Sequence, residues 1–207
     1  MRQAQTLNKL NALLVPGQVY RRAELAPYST NIDRHLAQLV AQGKLKKISQ
    51  GLYAAPKATA FGESPPDTES LVKSFLKDDH FVVYGLSQFN ALGLGTTQLY
   101  NQLIVFNRKR VGEFTLGDRT YSFHRWREAP KQLTPEFLVV ELLNRLDQLP
   151  EDRLQVLERL KAKLPSYNRR RLLISASKYG TIASQKKLKL LLEDINKQKC
   201  STGEHIQ

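Results

Sequence analysis

The segment between Tyr28 and Tyr53 constrains the fold of this chain more than any other. It combines a stretch of helical periodicity with a basic segment that contains a Gln50-Gly51 turn. At about 100° per residue, apolar side chains collect on one flank of the helix and polar side chains on another. The apolar flank consists of Ile32, Leu36, Leu39 and Val40, and the polar flank of Asn31, Arg34, His35, Gln38 and Gln42. The first flank suits a hydrophobic core, and the second is left to bind a partner.

Capping signals mark both ends of this helix. Ser29 or Thr30 is predicted to accept hydrogen bonds from the free amides of the first turn, with Asp33 in a capping-box position. Gly43 is predicted to end the helix, because glycine adopts the left-handed conformation without a steric cost.

The surrounding pattern predicts a compact arrangement of three helices and a hairpin. Leucines recur at helical spacing between residues 6 and 15, and a short helix is predicted over residues 21–25. Residues 45–53 predict a β-hairpin, in which the consecutive Lys46 and Lys47 indicate a bulge. The order of helix, short helix, recognition helix and hairpin is that of a winged helix-turn-helix.

The polar flank of the third helix has the chemistry of a DNA-binding surface. Asparagine, glutamine and arginine match the edges of adenine and guanine in the major groove, and a cationic hairpin suits the adjacent phosphates. We expect Arg34 and Gln38 to contact bases with support from Asn31 and His35, whereas lysines contact phosphate. The predicted DNA-binding residues are Ser29, Thr30, Asn31, Arg34, His35, Gln38, Lys44, Lys46, Lys47 and Gln50.

The positive charge of the chain is concentrated at its two ends. The 207 residues carry a formal net charge of +13. Residues 1–60 hold nine basic and two acidic residues, a net +7, residues 61–130 are neutral with eight of each, and residues 131–207 hold fifteen and nine, a net +6. Two separate regions are therefore suited to polyanions or acidic partners, although exposed cations are also ordinary on any protein surface.

Several classes of protein are disfavoured by what the sequence lacks. It has no stretch of about 18 consecutive apolar residues, so we expect no membrane partner and a cytoplasmic location. The single cysteine, Cys200, excludes an internal disulfide or a zinc finger, and the four histidines are scattered. No P-loop, nucleophile elbow or dinucleotide fingerprint is present. We expect no cofactor, no metal site and no catalytic activity.

The sequence after the hairpin predicts a second domain within an α+β fold. A linker is predicted over residues 58–66, because prolines and glycine interrupt the apolar pattern there. The alternation on both sides of Gly117-Asp118 predicts a β-hairpin, and leucine stripes after residue 130 predict helices. The predicted domains are a winged helix-turn-helix over 1–60 and a mixed domain over 67–198, with a disordered tail over 199–207.

With these motifs in hand, the chain resembles the AbiEi family of antitoxins from type IV toxin–antitoxin systems. The resemblance covers most of the sequence. It depends on the segment from Ile32 to Gly43 with the Gly51-Leu52-Tyr53 that follows, and on residues 85–96 with the Gly117-Asp118-Arg119 hairpin.

This resemblance implies a two-part bacterial protein. The winged head of such antitoxins binds inverted repeats in the operon promoter and represses it, while the C-terminal domain opposes a nucleotidyltransferase-like toxin. Family members differ in whether antitoxin and toxin form a stable complex. Cationic side chains in the C-terminal part are the candidates for opposing the toxin, either at its acidic metal site or by competing for its substrate. They are Arg169, Arg170, Arg171, Lys178, Lys186 and Lys187.

Two other functions are compatible with the same pattern. One is a winged-helix transcriptional regulator whose C-terminal domain binds a small ligand or forms a dimer, with no toxin involved. The other uses the arginine-rich tail as an RNA-binding surface. The chain does not resemble the toxin itself, because Gly85-Leu86-Ser87 interrupts the Gly-Ser that a nucleotidyltransferase needs, and Asp78 and Asp79 are adjacent rather than spaced.

Overall fold

The computed structural model describes residues 2–60, 62–94, 102–126, 130 and 132–203. The chain divides into two compact units, which we call the first unit (residues 1–84 and 101–129) and the second unit (residues 85–100 and 130–207). Helices and small β-sheets together confirm the predicted α+β class. None of the helices in the described part of the chain is long and apolar enough to cross a membrane.

The first unit begins with the predicted helices and hairpin. The elements are α1 (Arg2–Ala12), β1 (Val19–Arg21), α2 (Arg22–Leu25), α3 (Ile32–Ala41), β2 (Lys46–Ser49) and β3 (Leu52–Ala54). A short 3-10 helix over Ala26–Tyr28 separates α2 from α3. The strand β1, which the sequence did not indicate, pairs antiparallel with β3 and completes a sheet of order β1-β3-β2.

One face of this sheet supports the three helices. Leu10, Leu25, Leu36 and Leu39 pack there into one core, together with Leu45 just before β2. After α3, Gly43 has a φ of 68°, in the left-handed region, so the predicted helix stop is confirmed.

The predicted linker is not an open connection. The strands β4 (Lys57–Thr59) and β5 (Gly62–Ser64) pair as a second antiparallel hairpin. Pro65 and Pro66 follow it, and Asp67 then caps the next helix by accepting a hydrogen bond from the Ser70 N–H at 2.9 Å.

The remainder of the first unit is a helix and a mixed sheet. These elements are α4 (Thr68–Leu76), β6 (Phe81–Gly85), β7 (Gln102–Asn107), β8 (Gly112–Leu116) and β9 (Arg119–Arg125). The strand order is β6-β7-β9-β8, with β7 parallel and β8 antiparallel to β9. The Gly117-Asp118 hairpin is thereby confirmed.

The structure divides the chain differently from the predicted boundary after residue 60. The second face of the first sheet, with Val19, Ile48, Leu52 and Ala54, shares a core with α4 and the mixed sheet. The partners in that core are Leu71, Val72, Phe75, Leu76, Val105, Leu116, Tyr121 and Phe123. Because both faces of the small sheet are apolar, the elements from α1 to β3, which we call the winged head, fold as one unit with the mixed sheet.

The described part of the second unit is helical. It begins with a 3-10 helix over Leu86–Leu92 and continues with α5 (Pro135–Asn144), α6 (Arg153–Lys163), α7 (Arg169–Tyr179) and α8 (Ile182–Gly203). The buried flank of α6 is formed by Val156 and Leu160, whereas Leu154 is 73% exposed.

The last helix corrects the predicted tail. Residues 199–203 continue α8, because a helix extends through backbone hydrogen bonds to the preceding turn and needs no apolar side chain to do so. The predicted disorder of residues 204–207 lies outside the described residues.

Candidate nucleic-acid interface

The outward face of α3 presents three polar side chains. Asn31 and Arg34 are exposed, and Gln38, one helical turn after Arg34, is partly exposed. On the opposite face, buried Leu36 and Leu39 fix the rotation of the helix about its own axis. The side chains of Asn31, Arg34 and Gln38 form no hydrogen bond or ion pair with any described residue. Their donors and acceptors are therefore available to a ligand.

Arg22 joins three elements of the head. Its guanidinium donates two hydrogen bonds to the Asp33 carboxylate, Nε to Oδ1 and Nη2 to Oδ2, at 2.6 Å each. Its backbone N–H donates to the Gly51 carbonyl at 2.9 Å, at the tip of the β2–β3 hairpin, which we call the wing. The hydrogen bonds from Arg22, together with its positive charge, lower the pKa of the Asp33 carboxyl. The wing tip, α2 and the start of α3 are held together through the backbone and the side chain of one residue, Arg22.

This arrangement replaces the predicted capping box. Asn31, rather than Ser29 or Thr30, is the residue that precedes the first turn of α3, and its side chain makes no capping hydrogen bond. Asp33 is held by Arg22 and is not available to complete a box. The Arg34 side chain forms no ion pair with Asp33 or with any other described residue.

Ser29 and His35 are predicted DNA contacts that the structure places inside the first unit. Their exposed fractions are 8% and 4%. The Ser29 Oγ lies 2.7 Å from the His35 Nδ1 and also accepts a hydrogen bond from the Asn31 N–H at 3.1 Å. His35 stands at the border of the polar flank, where the turn before α3 covers it. The pair therefore fixes the start of α3 and does not face a ligand.

We expect Ser29→Ala to lower the free energy of unfolding by about 1–3 kcal/mol, because the His35 Nδ1 and the Asn31 N–H lose a partner in a buried site. Urea denaturation of the full chain measures the change. The neighbouring Thr30 is exposed, so Thr30→Ala should stay within about 0.5 kcal/mol of the original protein. Equal effects of the two substitutions would contradict the structural role of Ser29.

The cations of the wing differ in their surroundings. Lys46 and Lys47 are both exposed on β2, an edge strand. The Lys46 Nζ lies 3.2 Å from the Asp118 Oδ2, whereas Lys44 and Lys47 have no ion pair with any described residue. Among the residues predicted to contact phosphate, Lys44 and Lys47 accordingly have the more available ammonium groups, and Gln50 is exposed at the tip of the hairpin.

The β8–β9 turn supports the wing from behind. The pairing of β2 with β3 shifts register between Lys47 and Ser49, which confirms the predicted bulge. The Ile48 carbonyl within that bulge accepts a hydrogen bond from the Gly117 N–H at 3.2 Å. Asp118 at the same turn pairs with Lys46. The β8–β9 turn therefore holds the wing by one backbone hydrogen bond and by one side-chain ion pair.

Sequence reasoning missed Arg22 and Asp118 as parts of this site. Asp118 is 72 positions from Lys46 along the chain, and no local pattern indicates so distant a contact. The position of Arg22 at the start of a short helix is a weak sequence signal for such a role. A cation there opposes the helix dipole, so a compensating interaction elsewhere is expected.

The cationic residues predicted to oppose a toxin are spread over two helices of the second unit. Residues 169–171 occupy the first three positions of α7, where the partial positive charge of the helix end disfavours cations. The Arg169 Nη1 donates to the Asn196 Oδ1 at 3.2 Å. Arg171 and Lys178 line one open groove on either side of Ile174, which is 49% exposed. Lys186 and Lys187 lie on α8.

Comparison with known proteins identifies a shared fold. No protein-family model matches the sequence, and no curated protein matches it. Among solved structures, the chain is similar to the crystal structure of the RV2827C protein from Mycobacterium tuberculosis, with a TM-score of 0.59 and 16% sequence identity. The match covers 92% of this chain and 75% of that one. At this identity the similarity supports the α+β fold alone.

Proposed function

We propose that this protein is a sequence-specific DNA-binding repressor that also acts as an antitoxin. The outward face of α3 is the observation that carries the first half of the proposal. There Asn31, Arg34 and Gln38 are accessible and unpaired among the described residues. Arginine pairs with two acceptors of guanine, and asparagine or glutamine with both groups of adenine, in the major groove.

The geometry of the helix suits this use. Arg34 and Gln38 are four residues apart, about 6 Å along the helix axis, so that both can reach base edges along one groove. Asn31 stands at the N-terminal end of the same face. The two hydrogen bonds from Arg22 to Asp33 hold α3 in place, which reduces the conformational entropy that α3 would lose on binding DNA.

The proposed contacts follow from accessibility. Ser29 and His35 are left out because they are buried. The base contacts are Asn31, Arg34 and Gln38, and the phosphate contacts are Thr30, Lys44, Lys46, Lys47 and Gln50.

Fluorescence anisotropy with a duplex from the region upstream of this gene tests DNA binding and the phosphate role of Lys47. Lys47→Ala should weaken binding to all duplexes alike and reduce the slope of log K against log salt by about one. Arg108→Ala is the matched control, since Arg108 is an exposed cation at the other end of the mixed sheet from the wing. A slope unchanged by Lys47→Ala, or equally reduced by Arg108→Ala, would count against the interface.

The antitoxin half rests on the resemblance to the AbiEi family, together with the second unit. The residues that carry the proposed DNA contacts all lie in the first unit, so the second unit is available for another role. Three arginines at the unfavourable end of α7 form a local concentration of positive charge, which fits an acidic surface or a polyanionic substrate. We propose no catalytic role for the chain.

Separate substitutions in the full chain test the two roles. A nucleotidyltransferase toxin encoded beside this gene is expressed to stop growth. Coexpression of the original protein, or of Arg34→Ala, should restore growth. Changing Arg169, Arg170 and Arg171 together to alanine should abolish rescue while promoter repression remains. If Arg34→Ala loses rescue as well as repression, or if the triple variant rescues fully, the division of roles is wrong. A folded protein that never rescues would favour a winged-helix regulator without a toxin.

A further inference from the structure

A cavity of about 330 Å³ lies in the first unit, between the wing and the β8–β9 hairpin. Its walls are mainly apolar and come from four separate segments of the chain. Ile48 and Ala54 belong to the wing, Pro65 to the turn before α4, Leu71 to α4 itself, and Leu116 and Tyr121 to the hairpin. A cavity of this size, with apolar walls and a few polar groups, has the dimensions of a small-molecule site.

The polar groups at the cavity define the charge of a suitable ligand. Arg119 lines it and makes one long hydrogen bond, from its Nη1 to the Thr68 Oγ1 at 3.4 Å. Lys46 also lines it, but the carboxylate of Asp118 lies 3.2 Å from its ammonium group. The guanidinium of Arg119 is therefore the cation with the most hydrogen-bonding capacity left.

Three other charged or titratable groups restrict the ligand further. Glu63 and Asp118 line the same cavity, so the lining as a whole carries no excess positive charge. A ligand with several negative charges, such as a nucleotide, is disfavoured on that ground. Burial raises the pKa of the Tyr121 phenol, so its hydroxyl stays protonated at neutral pH.

We propose that this cavity binds a small organic monoanion with an apolar body, whose carboxylate or sulfonate pairs with Arg119. The apolar walls enclose the body of the ligand, and the planar guanidinium offers two parallel donors to its acidic group. A ligand in this cavity would contact Ile48 on β2, and β2 is the strand that also carries Lys47. The proposal concerns a second ligand and does not depend on DNA binding.

A matched pair of fluorescent probes tests the site in the full chain. One is 8-anilinonaphthalene-1-sulfonate, and the other is N-phenyl-1-naphthylamine, which has the same apolar body without the acidic group. Arg119→Ala should weaken binding of the sulfonate about tenfold or more and leave the affinity of the neutral probe unchanged. Arg108→Ala, which removes a cation away from the cavity, should change neither affinity.

Amide chemical shifts locate the bound probe independently. The sulfonate should shift the resonances of Gly117 and Ile48, whose backbones meet beside the cavity. Shifts confined to the exposed apolar residues of α7 would overturn the proposal. Equal sulfonate affinity in the original protein and in Arg119→Ala, or equal weakening of both probes, would overturn it too.

Discussion

A fragment of residues 1–62 should not fold cooperatively, even though it contains every element of the winged head. The second face of its sheet would lose the core that α4 and the mixed sheet provide. Val19, Ile48 and Leu52, all less than 9% exposed in the full chain, would become accessible. Their exposure costs about 1.5–3 kcal/mol each, or roughly 5–9 kcal/mol in sum. A domain of this length has a total stability of about 3–9 kcal/mol.

Circular dichroism of the fragment across a temperature ramp measures the effect, and a broad transition without a folded baseline is expected. Hydrogen exchange in the full chain gives an independent reading, because β3 and β9 should lose protection at the same denaturant concentration if they share one core. A sharp melt of residues 1–62, together with separate unfolding of β3 and β9, would show that the head is an independent domain.

The sequence predicts the elements around α3 well because their signals are local. The spacing of Ile32, Leu36 and Leu39 defines the buried flank, and Gly43 defines where the helix stops. The bulge after Lys47 and the turn at Gly117-Asp118 are predictable for the same reason. Each depends on neighbours within a few positions along the chain.

The core shared by the head and the mixed sheet does not follow from helical periodicity, because its signal lies in the patterning of the strands. Residues 52–55, Leu-Tyr-Ala-Ala, form a continuous apolar run rather than an alternating one. Such a run is typical of a strand covered on both faces. The signal for a second packing partner was therefore present. The identity of that partner was not, because the contact between Ile48 and Gly117 joins positions far apart in the sequence.

The candidate site shows a similar division between what was and was not predictable. Asn31, Arg34 and Gln38 were predicted as outward-facing from angle alone, and the structure confirms that they are accessible. His35 lies at the edge of the same flank, where angle does not decide between core and surface. In the structure, the hydrogen bond with Ser29 holds the His35 ring in a buried position. Lys46 has an ion pair with Asp118, which only the folded chain brings within reach.

Arg34 is the residue whose substitution should affect DNA recognition most. Its guanidinium is exposed, has no partner among the described residues, and stands at the centre of the outward face of α3. Loss of a bidentate contact to guanine costs about 1–3 kcal/mol for the cognate sequence, whereas binding to unrelated DNA depends on total charge. The loss should therefore appear as reduced discrimination rather than as reduced binding to all DNA.

Arg34→Lys separates the contribution of the bidentate base contact from that of the positive charge, since lysine keeps the charge but lacks the planar arrangement of donors. The decisive measurement is the ratio of affinities for the upstream duplex and for a shuffled duplex of the same composition, taken at one salt concentration. The account predicts that Arg34→Lys lowers this ratio by about fivefold or more with an unchanged salt slope. It predicts that Arg34→Ala lowers both the ratio and the slope. A ratio that remains at its original value in both variants would contradict the proposal that α3 reads the DNA sequence.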